Sequence, residues 1–256
     1  MALLKLQDIS KFFGKLTALT NINLEIGDGE LVGLVGPNGS GKTTLFNVIS
    51  GFYCPSSGDV FYEGRRITGL RPDTISSMGL VRSFQSNILY DDATVIENVI
   101  RGSYLCATTN SWQTFFSTKA YRKEEKEILW NAERLLEYWG LTSVRNTRAD
   151  ALPHGFQRRL GMAMAFSAAP KLLLLDEPVA GMNEREIALV MGRVKELVND
   201  GLAILLVEHH VKTVVDFCQR LVVLDYGQKI ADGRPENVTS NKHVIDAYLG
   251  NNEVSK

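Results

Sequence analysis

The sequence predicts an α/β domain with a mostly parallel sheet, an antiparallel β subdomain and an inserted α-helical subdomain. Three stretches predict it. Residues Leu31 to Leu45 run from an apolar strand through a glycine-rich loop into a helix start. Residues Lys171 to Pro178 hold an apolar run that ends in two acids, as a fully buried parallel strand does. Between them, from Thr94 to about Ala149, strand patterning gives way to helical spacing. The 256 residues can bury a sizeable core and read as one domain. Residues 1–93 and 150–256 form its α/β core with the β subdomain, and residues 94–149 form the helical insert.

The bulk properties narrow the classes of function. A formal net charge of −1 argues against a nucleic-acid binder that works through a general basic surface. Leu172 to Leu175 is too short to span a membrane, and the other apolar runs are broken by charge. Met1 to Leu6 lack a cleavable signal pattern, so a cytosolic protein is expected. Cys54, Cys106 and Cys218 are odd in number and widely spaced, which suits core or surface thiols better than a disulfide frame or metal site.

In chain order, Leu4 to Ile9 and Ile22 to Ile26 alternate apolar and polar residues, and Gly27-Asp28-Gly29 turns the chain into the next strand. An antiparallel edge is expected there, beside the phosphate loop. Phe12-Phe13-Gly14 lies between those strands; Phe13 suits stacking on a purine face, or an ordinary place in the core. The loop itself is Gly36, Pro37, Asn38, Gly39, Ser40, Gly41, Lys42, Thr43 and Thr44, a full G-x-x-x-x-G-K-T pattern. Its glycines let backbone N–H groups turn inward on a phosphate chain, and the helix starting near Lys42 adds its positive end. Lys42 reaches the β- and γ-phosphates, and the Thr43 hydroxyl holds a bridging Mg²⁺.

Val60 to Ile67 reads as a hairpin strand and turn. Gly79 to Phe84 reads as a strand that ends beside the nucleotide, followed by Gln85. The Gln85 amide oxygen can take a metal or a water, though position alone makes it a solvated loop residue. In the insert, Lys119 to Glu127 is a solvated helix start. Ile128, Leu129, Ala132, Leu135, Leu136 and Trp139 share one helical face that Gly140 ends. The aromatics Trp112, Phe115 and Phe116, within Tyr104 to Ser117, suit a core or a docking surface. Leu152-Pro153-His154-Gly155-Phe156-Gln157 opens a helix that runs through Phe166, with another potential anion site at its start. Leu172 to Leu175 ends in Asp176 and Glu177, at the sheet edge where such folds bind ligands. In a phosphate-loop protein Asp176 holds Mg²⁺ through water and Glu177 polarises the attacking water. A further buried strand, Leu202 to Val207, leads through Glu208 to His209, a histidine that could hydrogen-bond a γ-phosphate or serve structure. Leu221 to Leu224 and Lys229-Ile230 flank a turn, and a short helix follows over Val244 to Leu249.

Taken in order, the phosphate loop, Gln85, the helical insert, Leu152 to Arg159, Leu175-Asp176-Glu177-Pro178 and His209 resemble the ATP-binding subunit of ABC transporters, with a P-loop NTPase core, across essentially the whole chain. The phrases Leu152-Pro153-x-Gly155, Ala180-Gly181-Met182-Asn183, Val207-Glu208-His209 and Ile245-Asp246-Ala247-Tyr248-Leu249-Gly250 are similar to the subunits of branched-chain amino acid importers, with urea importers close by. This resemblance implies ATP and Mg²⁺ as ligands, with Phe13 stacking on adenine and Gln85 coupling Mg²⁺ to the membrane partner. It makes Glu177 the catalytic base and His209 the γ-phosphate switch. It implies a peripheral place on the cytoplasmic face of the membrane, under permease subunits and served indirectly by an external solute-binding protein. Two ATPase subunits, alike or different, would sandwich two ATP molecules, each loop facing the Leu152 to Gln157 signature of the other.

The signature departs from the usual Leu-Ser-Gly-Gly-Gln: Pro153 stands for the serine, His154 for a glycine and Phe156 for the glutamine; the proline is familiar in the importer group, and Phe156 is not. Met164 replaces a common arginine, and Asn183 a common aspartate, the latter as in the importer group. An intact catalytic set beside an altered signature leads to the expectation of a second, different ATPase subunit. The competing classes are an ATP-driven clamp on nucleic acid or ribosomes, and an inactive ATP-binding scaffold. A single cassette without basic extension or coiled-coil insert speaks against the first, and Lys42, Asp176, Glu177 and His209 against the second.

Overall fold

The computed structural model describes residues 2–83, 89–104, 119–208 and 211–249. Gln85, His209, Gly250, Cys106, Trp112, Phe115 and Phe116 lie outside the described residues.

Strands β1 (Leu4–Phe13) and β2 (Leu16–Ile26) are antiparallel partners, longer than the alternation alone marks, and meet at the Gly14-Lys15 turn. Phe13 is therefore the last residue of a strand. β3 (Leu31–Val35) leads through the phosphate loop into α1 (Lys42–Ile49). β4 (Ser57–Tyr62) and β5 (Arg65–Arg66) form the expected hairpin. Then come α2 (Pro72–Ser77), β6 (Leu80–Arg82), α3 (Val95–Ser103), α4 (Lys119–Tyr138), α5 (His154–Ser167) and β7 (Leu172–Asp176). The chain continues with α6 (Glu184–Asn199), β8 (Ala203–Val207), α7 (Val211–Phe217), β9 (Arg220–Asp225), β10 (Gln228–Gly233), α8 (Pro235–Thr239) and α9 (Lys242–Leu249).

Two sheets result. The smaller is antiparallel, in the order β2-β1-β4-β5, and the larger has the order β10-β9-β3-β8-β7-β6. In the larger sheet β3 lies parallel to β8 and β9, β7 lies parallel to β6 and β8, and only the edge strand β10 is antiparallel. Successive residues of β7 and β8 enter different cores. Leu173, Leu175, Ile204 and Leu206 join Trp139 and Leu160 of the helical layer, whereas Leu172, Leu174, Leu205 and Val207 join Leu45 and Phe46 of α1 and the smaller sheet. Burial on both faces is why β7 is an unbroken apolar run.

The chain enters and leaves the helical region at one place. Ala149 N–H donates to Ala93 O (3.0 Å), Val95 N–H donates to Thr147 O (3.0 Å), and Thr94 bridges Arg148. Val95 and Val99 of α3, Ala132 and Leu136 of α4, and Leu160 and Met162 of α5 share one apolar cluster. Gly140, at φ +63°, ends α4, and Leu141 N–H donates back to Leu136 O (2.7 Å). The buried stripe of α4 is narrower than its apolar spacing suggests. Ala132, Leu136 and Trp139 are fully buried, but Leu129 is 43% exposed, because α4 reaches the cluster only from Ala132 onward. Helix α6 went unread in the sequence although Asn183-x-x-Glu186 is a capping-box pattern. Asn183 Oδ1 accepts from Glu186 N–H, and the Glu186 carboxylate accepts from Asn183 N–H, each at 3.0 Å. Among the described residues no helix is long and apolar enough to cross a membrane.

Candidate active site

Two glycines set the curvature of the phosphate loop. Gly36 has φ +152°, and a Cβ there would lie 2.1 Å from Leu224 O of β9. Gly41 has φ +104°, and a Cβ there would lie 2.7 Å from Ala18 O of β2. Backbone on both sides therefore excludes any side chain. The turn between β9 and β10 supports the loop: Gly227 N–H donates to Ser40 O (3.0 Å), and Thr20 N–H donates to Gly227 O (2.8 Å). Ser40 is buried, Pro37 and Thr44 are half-buried, and Asn38, Gly39 and Thr43 are exposed. The loop thus presents its outer backbone and the Thr43 hydroxyl to solvent at the start of α1.

Lys42 is 6% exposed. Its Nζ donates to Gly36 O (2.7 Å), Pro37 O (2.8 Å) and Ser40 Oγ (3.4 Å), which bends the side chain back over the loop. Burial pushes its pKa down from the usual lysine value, while the charges of Glu177 and Asp176 oppose that shift. Lys42 is therefore close enough to both carboxylates for their charges to interact.

Asp176, at the end of β7, pairs with the Arg82 guanidinium at 3.0 Å, and the two side chains are 8% and 10% exposed. The same guanidinium donates to Asn47 Oδ1 of α1 (2.6 Å). Glu177 follows at φ +49°, a region that a non-glycine residue enters at a cost of about 1–3 kcal/mol. Its backbone is held from three sides: its N–H donates to Val207 O (2.9 Å), and its carbonyl accepts from Ala180 N–H (3.3 Å) and Arg158 Nη1 (3.4 Å). Buried Glu208 accepts from Val179 N–H (3.1 Å), so the end of β8 is tied to the turn after Glu177. Arg82, Asn47 and Glu208 carry no role in the sequence reading. The arginine was the available signal, since a charge in the apolar run Leu80-Val81-Arg82 needs a partner when buried.

Phe13 is 41% exposed at the tip of the first hairpin, which removes the core alternative. Its ring meets Tyr53 edge-on at 5.4 Å, with Lys11 Nζ 5.1 Å from its centroid. At the start of α5, Leu152 is buried, Pro153 occupies the N-cap position, and Pro153 and His154 are exposed. Gly155, Phe156 and Gln157 are half-buried. Phe156 N–H donates to Pro153 O (2.9 Å), Gln157 Nε2 donates to Ala149 O (3.2 Å), and the Arg159 guanidinium lies 4.2 Å from the Phe156 ring centroid.

These residues fit a nucleotide triphosphate with Mg²⁺. Gly36 and Gly41 fix the curvature of the loop against β9 and β2, its outer residues Asn38 and Gly39 are open to solvent, and Thr43 and Asp176 supply hard oxygen donors. Mg²⁺ takes such donors alongside phosphate oxygens and water.

The ABC transporter family matches residues 19–180, and the branched-chain amino acid ATP-binding cassette transporter family matches residues 228–254. The chain belongs to the ABC transporter family, as one of its ATP-hydrolysing, ATP-binding cassettes. Its relatives include the high-affinity branched-chain amino acid transport ATP-binding protein LivG of Escherichia coli K12, 39% identical over 97% of this chain and 98% of LivG. BraF of Pseudomonas aeruginosa, described in the same words, is 36% identical with the same coverage of both chains. A solved ATP-binding cassette of an ABC transporter in its ADP conformation superposes with a TM-score of 0.85 at 32% identity, covering 98% of this chain and 99% of that one.

Proposed function

We propose that this cassette is the ATP-hydrolysing motor of an importer for branched-chain amino acids. In this reading it sits peripherally on the cytoplasmic face of the cell membrane, bound to permease subunits that an external solute-binding protein supplies. The observation that carries the reading is the convergence of Lys42, Asp176 and Glu177 on one phosphate loop, in a chain similar to LivG and BraF over nearly its full length.

The loop amides from Gly36 to Thr44 cradle the phosphates, and Phe13 stacks on the adenine. Lys42 Nζ exchanges its carbonyl contacts for phosphate oxygens, a charge-assisted replacement for neutral bonds. Thr43, Asp176 through water, and Gln85 would hold Mg²⁺, which when bound would neutralise charge on the phosphates. Glu177 orients and deprotonates the attacking water, and a general base of this kind is worth about 10²–10⁴ in rate. His209 hydrogen-bonds the γ-phosphate. The strained Glu177 backbone, fixed from β8 and α5, holds that carboxylate beside the metal-side acid. Leu152 to Gln157 contact the ATP held by a second ATPase subunit, so closure on two nucleotides drives the permease and hydrolysis reopens the pair. Pro153 and Phe156 in place of the usual serine and glutamine favour a partner cassette of different sequence.

The test uses the native host with this gene deleted. Uptake of radiolabelled leucine falls and is restored by the wild-type gene but not by Glu177→Gln. Undiminished uptake of leucine, isoleucine and valine in the deletion strain would refute the amino acid assignment, and phosphate release unchanged in purified Glu177→Gln protein would refute the catalytic one.

A further inference from the structure

We infer that Arg82 is a positioning residue for the metal-side carboxylate, a role that rests on the reading of Asp176 above. Arg82 ends β6 and is held between two other elements, β7 and α1. Its Nη2 donates to Asp176 Oδ2 at 3.0 Å, its Nη1 donates to Asn47 Oδ1 at 2.6 Å, and its Cζ lies 5.5 Å from the centroid of the Phe46 ring. Asn47 and Phe46 both belong to α1, and Asn47 lies one helical turn after Thr43. A single rigid group therefore sets the distance between the helix that carries Thr43 and the strand end that carries Asp176.

The chemistry favours an arginine here. A guanidinium is planar and presents its donors in a fixed fork, so two acceptors bound by its two terminal nitrogens are fixed relative to each other. A lysine is a point charge on a flexible stem, and could satisfy Asp176 or Asn47 without fixing both. The side chains of Arg82 and Asp176 are almost fully enclosed, so water competes little for either partner. The helix that carries Thr43 and the strand end whose carboxylate would act on the metal through water are then tied together before a cation arrives, and part of the ordering cost is met on folding.

The inference predicts where a change at Arg82 is felt. ATP binding without metal depends on the loop amides, Lys42 and the base contact, whereas the contacts of Arg82 given above go to Asp176, Asn47 and Phe46. The gain in ATP affinity on adding Mg²⁺ depends on the two oxygen donors, and it is this gain that Arg82 supports. The measurement is the dissociation constant of a fluorescent ATP analogue with EDTA and with Mg²⁺, in a Glu177→Gln background where nucleotide is not consumed. Arg82→Lys should leave the EDTA value within about twofold, and cut the Mg²⁺ enhancement about tenfold, the loss typical of a residue that orients a metal ligand. Asn47→Ala, which spares the ion pair, should cut it by a smaller factor and keeps the test open if Arg82→Lys folds poorly. Asp176→Asn is the reference. If it loses the enhancement while Arg82→Lys and Asn47→Ala both retain it, the positioning role is wrong and the metal reading stands. If Asp176→Asn retains the enhancement, the metal reading fails and Arg82 falls with it. Equal loss with EDTA and with Mg²⁺ in both variants would mark Arg82 as a structural tie alone and overturn the inference.

Discussion

The phosphate loop and the start of α5 are both glycine-bearing helix N-termini, yet they are built in opposite ways. In the loop, Gly36 and Gly41 press against backbone of β9 and β2, Ser40 and Lys42 are buried, and Lys42 is bonded within the loop. At α5, Pro153 and His154 are exposed, the N-cap makes no side-chain hydrogen bond, and Phe156 leans on Arg159 of its own helix. The loop is completed by its own chain. The start of α5 presents groups outward, as a surface does that meets something else. The proposed function gives both a place: the loop holds ATP within one cassette, and the start of α5 meets a second.

The largest effect that separates the two regions is expected at Glu177. Glu177→Gln should lower the rate of phosphate release by about 10²–10⁴ while nucleotide binding persists, because the loop and Lys42 are untouched. Steady-state hydrolysis beside equilibrium ATP binding reads both quantities. Parallel loss of binding would mean that the loop depends on Glu177 and is less self-contained than its contacts indicate.

The same substitution placed in each region sharpens the contrast. Gly36→Ala forces a Cβ to 2.1 Å from Leu224 O at a positive φ, and overpacking of this kind costs about 1–3 kcal/mol. Gly155→Ala meets only the far end of the Glu186 side chain, at 3.1 Å, and alanine is the better helix former by about 1 kcal/mol. Urea unfolding of the single chain should therefore show loss for Gly36→Ala and no loss, or a gain, for Gly155→Ala. If both substitutions destabilise alike, the start of α5 is as tightly built as the loop.

The readable parts of this molecule were those whose chemistry is local. The G-x-x-x-x-G-K-T loop, the apolar run ending in Asp176 and Glu177, and the Gly140 helix stop each depend on neighbours in sequence, and each stands where the sequence put it. Groups defined by distant partners were not readable. Arg82 acquires meaning only when Asn47 and Asp176, 35 and 94 residues away in sequence, are folded against it. The burial of α4 likewise depends on where α3 and α5 lie, so an apolar face that included Leu129 overstated it. Phe13 has two readings in the sequence because an aromatic pattern does not report exposure; its 41% exposure at a hairpin tip removes the core one. Phe13→Ala should weaken ATP binding by about 1–3 kcal/mol, the worth of one base on an aromatic ring, and leave tripolyphosphate binding unchanged. Equal weakening of both ligands would remove the adenine contact.

The smallest expected effect lies at Phe156, and it bears most directly on how the cassette finds its partner. The ring is half-buried and covered on one side by Arg159, a contact worth about 0.5–1 kcal/mol at an exposed site. Phe156→Gln gives up that contact and gains an amide that can donate and accept across an interface, at about 0.5–1.5 kcal/mol per hydrogen bond. The single chain should become slightly less stable, while Mg-ATP-driven self-association in a Glu177→Gln background becomes about twofold to tenfold tighter by light scattering. The opposite signs are the point of the test, since a residue that serves only its own helix would lower both. Self-association unchanged by Phe156→Gln would show that the aromatic is no obstacle to a homodimer, and the reason for expecting a different partner cassette would then rest on Pro153 and His154.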